Sequence, residues 1–496
     1  MDTRDRRPST RPGVALAIML GAQLMIILDA TVVNIALPHI QTGLGFSATS
    51  LSWVMNGYTL TFGGLLLLGG RAGDILGRRR MFLIGIVVFT LASLAGGLST
   101  SAAMLLTTRA IQGVGGALAS PAVLALVVSA FPEGKERIKA LAIYSAVVTG
   151  GSSLGLVLGG LITQWASWRW VLFINVPIGI AVTLLAPRFV AETPRQPGRF
   201  DMPGAVTSTV GVAALVYAFI RAASNGWGDR IGIASFVIAA VLLAGFVFNE
   251  TRAPQPITPL RLFADLGRSG SFVARLLLVA GMFGMFFFLT QFLQEVLGFG
   301  ALTTGIAFLP MTALLFAVSR LVPRLIPRMG GHLLMILGMI PVIIGMFWLS
   351  RVSTTTGYWT GIFGPMVLLG GGMGAVFVPL TTTSLAGVSQ RDSGAASSMV
   401  NVMQQMGGSV GLAVLVAVFG TAIRSAAAQP TGGLSAAAFH THVLAHGMST
   451  AFTLAAIFDV AAFVVIAVLL RPRKSVVPDT PEGLTDEEVA ATAIGE

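Results

Sequence analysis

The stretch Val14–Pro38 reads VALAIMLGAQLMIILDATVVNIALP. It is apolar almost throughout, and it is longer than the roughly 20 helical residues that cross a bilayer. One carboxylate, Asp29, interrupts it. At the centre of a membrane helix an acidic residue costs about 2.5–3.5 kcal/mol on insertion scales, so it faces a partner or a water-filled path. Asp29 is therefore a candidate proton site.

The rest of the chain repeats this apolar pattern. Of its 496 residues 54% are hydrophobic and 10% are charged, whereas soluble proteins carry about 25% charged residues. This composition predicts an integral membrane protein. The 60 glycines suit close helix packing in lipid. The absence of cysteine excludes disulfides and thiol chemistry. A net charge of +11 does not indicate nucleic-acid binding, because the arginines are dispersed between apolar runs as membrane topology requires. Arg4, Arg6, Arg7 and Arg11 give the N-terminus the look of a signal peptide, but the following run is long enough to span and no small-residue cleavage site follows.

Fourteen candidate spans begin near Val14, Leu51, Met81, Ala102, Lys139, Arg169, Met202, Ile231, Ser271, Leu302, His332, Gly357, Ala395 and Gly447. Of the 31 lysines and arginines, 24 fall in one set of alternate connecting segments and 5 in the other. Arg109 and Arg275 lie inside spans. That bias predicts cytoplasmic termini and an even number of spans.

A weak internal repeat accompanies the spans. Arg71, Gly77 and Gly85 match Arg324, Gly330 and Gly338. Gly116, Ala117 and Pro121 match Gly374, Ala375 and Pro379, and Gly151 and Gly155 match Gly407 and Gly411. The offset exceeds the length of six spans by enough for two more. An all-α membrane fold of six, two inserted and six helices follows, since transporters are often built from repeated halves. The expected divisions are a basic tail at 1–13, a six-helix bundle at 14–191, the inserted pair at 192–268, a second bundle at 269–470 and an acidic tail at 471–496. The acidic tail is expected to be disordered.

Four motifs carry chemistry. Gly70-Arg-Ala-Gly-Asp74-Ile-Leu-Gly77-Arg78-Arg79-Arg80 reads as the loop between spans two and three. Its glycines permit a tight turn, and Asp74 can cap the third helix or pair with an arginine. Arg109-Ala-Ile-Gln112-Gly113 puts a guanidinium about two turns inside span four, either paired or reaching the outer surface. Gly151, Gly155, Gly159 and Gly160 give span five a flat face. At 1.5 Å per residue, Asp29 and Arg109 both lie about 10–12 Å below the same surface, so they can meet. Beyond these, Asp459 sits mid-span in LAAIFDVAAFVV. It is open to a proton, to a cationic substrate or to a structural hydrogen bond. Glu295 reads as solvated near the outer end of span nine, and Arg275 as snorkelling to the inner surface.

The Gly70–Arg80 pattern resembles the loop signature of the major facilitator superfamily, with Ala72 in place of its usual leucine. Arg109–Gly113 is similar to that superfamily's Arg-x-x-Gln-Gly motif. Gly151–Gly160 is similar to its antiporter signature, with Leu156 where that signature has proline. Leu28–Pro38, Trp168–Gly179 and Gln291–Gly298 resemble signatures of the fourteen-helix drug:proton antiporters.

This resemblance implies a proton-coupled exporter of amphiphilic drugs or antibiotics, working by the rocking of two halves about a central cavity. It implies proton coupling by Asp29 and Arg109, with Asp459 as a further candidate. Asn34, Gln112, Gln291, Gln294 and Glu295 become candidate cavity residues. Gly70, Asp74, Gly77, Arg78, Gly151, Gly155, Gly159 and Gly160 become gating residues. No cofactor or metal is expected, since the proton gradient would drive the cycle, and no enzymatic activity. The expected partners are protons, membrane lipid and a small amphiphilic substrate, and the expected form is a monomer in a bacterial inner membrane. The alternative is a dedicated exporter of one metabolite, lipid or siderophore, or a symporter. An ATP-driven pump would need a phosphate loop, but Gly134-Lys135 is followed by Glu136. His440, His442 and His446 have no nearby carboxylate or thiol and read as an exposed loop rather than a metal site.

Overall fold

The computed structural model describes residues 11–132, 134–195, 200–388, 393–430 and 433–470. Both expected tails lie almost wholly outside the described residues, as do Arg199 and Arg391. Among the described residues the regular structure is entirely helical. This suits a lipid environment, where a helix satisfies its own backbone groups. Thirteen helices of the described residues are long and apolar enough to cross a membrane. Lys135–Trp165, 31 residues long, supplies a fourteenth crossing.

In chain order the crossings are α1 (Pro12–Leu44), α2 (Trp53–Leu76), α3 (Arg78–Gly97), α4 (Ala102–Ala130) and α5 (Lys135–Trp165). Next come α6 (Trp170–Phe189), α7 (Met202–Asn225), α8 (Arg230–Arg252), α9 (Leu266–Val296) and α10 (Ala301–Met329). The last four are α11 (Gly331–Leu349), α12 (Phe363–Leu385), α13 (Ser393–Ala427) and α14 (Ala436–Leu469). Residues 12 and 469 lie on one face of the bundle, here the near face. The far face carries the turn at Gly45.

Local signals set the helix ends. Pro12 opens α1, and Gly45 at φ 70° closes it by donating to Gln41 O. Asp201, Asp229 and Asp265 each accept a backbone N–H in the first turn of α7, α8 and α9. Asp229 also pairs with Arg221 at 2.8 Å. The hydrogen bond from Arg221 holds the Asp229 carboxyl at about 2, well below its ordinary value. Two expectations need correction here. The last helix starts at Ala436, capped by Ser435, and not near Gly447, so the three histidines sit exposed on its first turns rather than in a loop. The Gly70–Arg80 motif is not a loop either. Helix α2 runs to Leu76, α3 begins at Arg78, and Gly77 at φ 110° is the whole connection. That φ favours a residue without a Cβ.

Helices α1–α6 pack as one bundle and α9–α14 as a second. The pair α7/α8 lies outside both, with α7 against α2 and α13. The sequence repeat has a geometric counterpart. Gly330, at φ 77°, breaks α10 from α11 as Gly77 breaks α2 from α3. A Cβ on Gly85 would press on Gly115 O and Ala119, and one on Gly338 would press on Gly372 O and Ala375.

Such contacts give the glycines a cost test. A Cβ on Gly69 would fall on the Ala117 carbonyl, whereas Gly245 has open space around it. Gly69→Val is expected to lower the unfolding midpoint in detergent, in the overpacking range of about 1–3 kcal/mol or above. Gly245→Val should leave it nearly unchanged.

Candidate functional site

Asp29 and Arg109 meet. Both side chains are fully buried, and Arg109 Nη1 donates to Asp29 Oδ2 at 2.5 Å. The pair joins α1 to α4 inside the first bundle. Further donors and acceptors surround it. Gln112 Nε2 donates to Asp29 Oδ1 at 3.0 Å and to Ser93 Oγ at 2.7 Å. Asn175 Nδ2, from α6, donates to Asp29 Oδ1 at 2.9 Å. Arg109 also donates to Gln112 Oε1 at 2.9 Å and to Val54 O at 3.0 Å. Its guanidinium carbon lies 4.7 Å from the centroid of the Tyr58 ring. The carboxylate thus accepts from three side chains, and the cation is shared among a carboxylate, an amide, a carbonyl and an aromatic face. A buried pair is tolerated when its remaining groups are met in this way, and here all but Arg109 Nη2 and Asn175 Oδ1 are.

The glycines of α5 let its backbone lie directly on α1. A Cβ on Gly151 would meet Leu24 and Ile27, one on Gly155 would meet Thr31, and one on Gly159 would meet the Val32 backbone. These contacts flank Asp29 along α1. Gly160 faces elsewhere, onto Ala301 and Leu302 of α10 in the other bundle.

The expected cavity residues do not share one pocket. Gln112 belongs to the ion-pair network. Asn34 donates to Phe286 O at 3.2 Å and to Thr290 Oγ1 at 2.9 Å on α9, and Gln294 returns a bond to Ile35 O at 2.9 Å. These bonds cross from one bundle to the other. Together with Leu302 N donating to Gln164 Oε1 at 3.0 Å, they tie the bundles toward the far face. Gln291 is buried and turns back onto Phe287 O at 3.1 Å. Glu295 is half-buried in the π-helical turn Phe292–Val296, rather than fully solvated.

On the near face Asp74 pairs with Arg78 at 2.9 Å. The start of α3 is capped instead by Glu192, whose carboxylate accepts from Arg79 N at 2.9 Å and Arg80 N at 3.2 Å. A carboxylate is favourable there because helix N-termini present free N–H groups and a positive dipole end. Gly70 packs its open side against Pro121.

Asp459 stands apart from Asp29. It lies in the second bundle, fully buried on α14, with Oδ1 3.1 Å from the point where a Cβ on Gly281 would sit. Arg275 does not snorkel. It is 3% exposed and donates to Thr381 Oγ1 at 2.5 Å and Gln404 Oε1 at 3.5 Å, with Phe377 beneath it. These side chains supply inside the bundle the partners that a snorkelling arginine finds at the surface. Sequence reasoning gave no role to Tyr58, Ser93, Asn175 or Glu192. Only Asn175 left a signal, as an amide in the apolar run VLFINVPIGI.

Comparison with known proteins places this architecture. The model of the Major Facilitator Superfamily matches residues 19–412. The chain is 40% identical over 467 residues to a puromycin resistance protein of Streptomyces alboniger, covering 93% of this chain and 91% of that one. It is 39% identical over 475 residues to a cephamycin export protein of Amycolatopsis lactamdurans, covering 95% and 94%. A multidrug resistance protein of Mycobacterium tuberculosis is 35% identical over 397 residues, covering 79% and 73%. The fold is similar to a bacterial homologue of the lysosomal transporter Spinster in an inward-facing and unoccupied conformation. There the TM-score is 0.63 and the identity 16%, with 94% of this chain and 99% of that one covered. An auto-inhibited peptide transporter superposes with a TM-score of 0.65 at 16% identity, covering 94% and 99%. The fourteen crossings, the repeated halves and these relatives agree: the chain is a multi-pass membrane protein that belongs to the Major Facilitator Superfamily.

Proposed function

We propose that this chain exports amphiphilic antibiotics or drugs in exchange for protons, by alternating access. The observation that carries the reading is the buried Asp29–Arg109 pair with its Gln112 and Asn175 donors. The cargo class rests on the relatives named for resistance and export. The excess of basic residues in the near-face segments supports a cytoplasmic near face, in a bacterial inner membrane. In that orientation the Asn34, Gln294 and Gln164 bonds close the outer side, and this conformation is one closed to the exterior.

The chemistry is a competition for one carboxylate. With Asp29 ionised, it holds Arg109 between α1 and α4. A proton on Asp29 removes the charge that balances Arg109, and the guanidinium is left on Val54 O, Gln112 and the Tyr58 ring. Re-forming the pair expels the proton. Coupling follows if the two arrangements prefer different openings of the cavity, since a ligand shifts an equilibrium only by its differential affinity. No cofactor, metal or enzymatic step enters this cycle, and a single chain suffices for it.

A second reading, a dedicated carrier of one compound, is favoured by the relatives named for single antibiotics, puromycin and cephamycin among them. A resistance panel separates the two. Protection against chemically unrelated compounds supports the broad reading, and protection against one compound or none supports the dedicated one. In proteoliposomes lacking ATP, an imposed pH gradient should drive uphill substrate movement; no response to the gradient would overturn the antiport reading.

Asp29→Asn should abolish that uphill movement. It should also cost about 3–5 kcal/mol of stability, because an uncompensated guanidinium stays buried. Adding Arg109→Gln should recover much of the stability and none of the coupling. Unfolding and flux measured on the same preparations check both halves of this expectation.

A further inference from the structure

The second bundle contains a buried acid that the Asp29 mechanism does not use. Asp459 has no exposure, and neither carboxylate oxygen has a hydrogen-bond partner. The contrast with Asp29, which accepts from three side chains, is complete. A carboxylate can only accept hydrogen bonds, whereas a carboxylic acid can also donate. Among the atoms nearest Gly281 on the facing helix is another acceptor, Ala455 O. It lies 3.3 Å from the point where a Cβ on Gly281 would sit, and Asp459 Oδ1 lies 3.1 Å from that point. An i−4 carbonyl in the preceding turn is the acceptor that hydroxyl side chains use in helices. An ionised carboxylate here would face a carbonyl with no compensating charge; a carboxylic acid would have an acceptor in reach.

The surrounding charges do not alter this. Helix α9 carries Arg275, six residues from Gly281 and about 9 Å along the axis, with Arg268 about 20 Å away at its start and Glu295 about 21 Å away at its other end. The Arg275 guanidinium is held by Thr381 and Gln404 over Phe377. Helix α13 carries only Arg424, whose guanidinium lies on the Ala222 and Ala223 carbonyls at the far end. Helix α11 carries His332 at its first turn, and α14 itself carries His440, His442 and His446 near its start.

We propose that Asp459 is a second proton-carrying site, loaded in this conformation while Asp29 is ionised. The two half-bundles would then each hold one titrating acid, in opposite protonation states. This inference rests on the antiport reading above and adds to its stoichiometry.

Two measurements on the full-length carrier test it. Infrared spectroscopy of the purified protein at neutral pH should show a carboxylic-acid C=O band that Asp459→Asn removes and Asp459→Glu shifts. Asp29→Asn should leave that band in place. In proteoliposomes with the electrical potential clamped, each coupled proton multiplies the limiting substrate ratio by about tenfold per pH unit. Asp459→Asn, close in shape to the neutral acid, should still transport but with that ratio about tenfold lower per pH unit. A band unchanged by Asp459→Asn and Asp459→Glu, or an unchanged limiting ratio, would overturn the proposal. Failure of the antiport reading looks different: wild type and variant would both ignore the gradient. The infrared result stands independently of transport.

Discussion

A carboxylate and a guanidinium with no exposure to solvent constrain everything packed around them. Each ion alone would be costly to bury, and their attraction offsets desolvation only if the remaining donors and acceptors are also met. Five elements of the first bundle must therefore arrive in register. Helix α1 brings Asp29, α2 brings Val54 O and Tyr58, α4 brings Arg109 and Gln112, and α6 brings Asn175, while Ser93 of α3 takes the far side of Gln112. The pair thus acts as a positional standard for the bundle. A small relative shift of α1 and α4 breaks several bonds at once rather than one.

The glycines make that precision possible. In lipid, association cannot draw on expelling water from apolar surface, so it depends on close contact and hydrogen bonds. Bare backbone at Gly69, Gly85 and Gly115 brings α2, α3 and α4 together, and Gly155 and Gly159 bring α5 onto α1. The same device recurs at Gly338, Gly370 and Gly372 in the second bundle. The two halves therefore share their close contacts as well as their connectivity. Their ionisable groups are not shared in this way, for Arg275 and Asp459 remain unpaired with each other where Arg109 and Asp29 are joined.

Charge in an apolar run is the most legible signal in a membrane sequence, and it made Asp29, Arg109 and Asp459 stand out and the Asp29–Arg109 meeting foreseeable from depth alone. The helix count was legible for similar reasons of hydropathy, and the glycines of Gly70–Arg80 signalled a turn but not that Gly77 alone would make it. Other features depend on tertiary partners that no local pattern encodes. Asn34 and Gln294 look like cavity residues on their own helices, yet here they bond across the seam between bundles. Glu192 lies just past the end of α6, and nothing near it in the chain indicates that it caps α3. Tyr58 and Ser93 are ordinary membrane-helix residues until Arg109 and Gln112 arrive beside them. The histidines looked like loop because their polarity masks the helical turns before Gly447.

The end of α7 touches both halves. Ser224 bonds Thr49, from the turn between α1 and α2, at 2.9 Å, and Arg424 of α13 holds the Ala222 and Ala223 carbonyls. Across the molecule, the seam between α5 and α10 has no such third party: Gly160 and Gly305 lay the two backbones directly on each other, with the Gln164–Leu302 bond beside them. Two halves pinned together at one edge turn about that edge as a door turns about its hinge post. The edge that lacks the inserted pair would then have the long lever arm. An inserted helix pair that contributes no group to the Asp29–Arg109 network would in this way choose the direction in which a nearly symmetric machine opens.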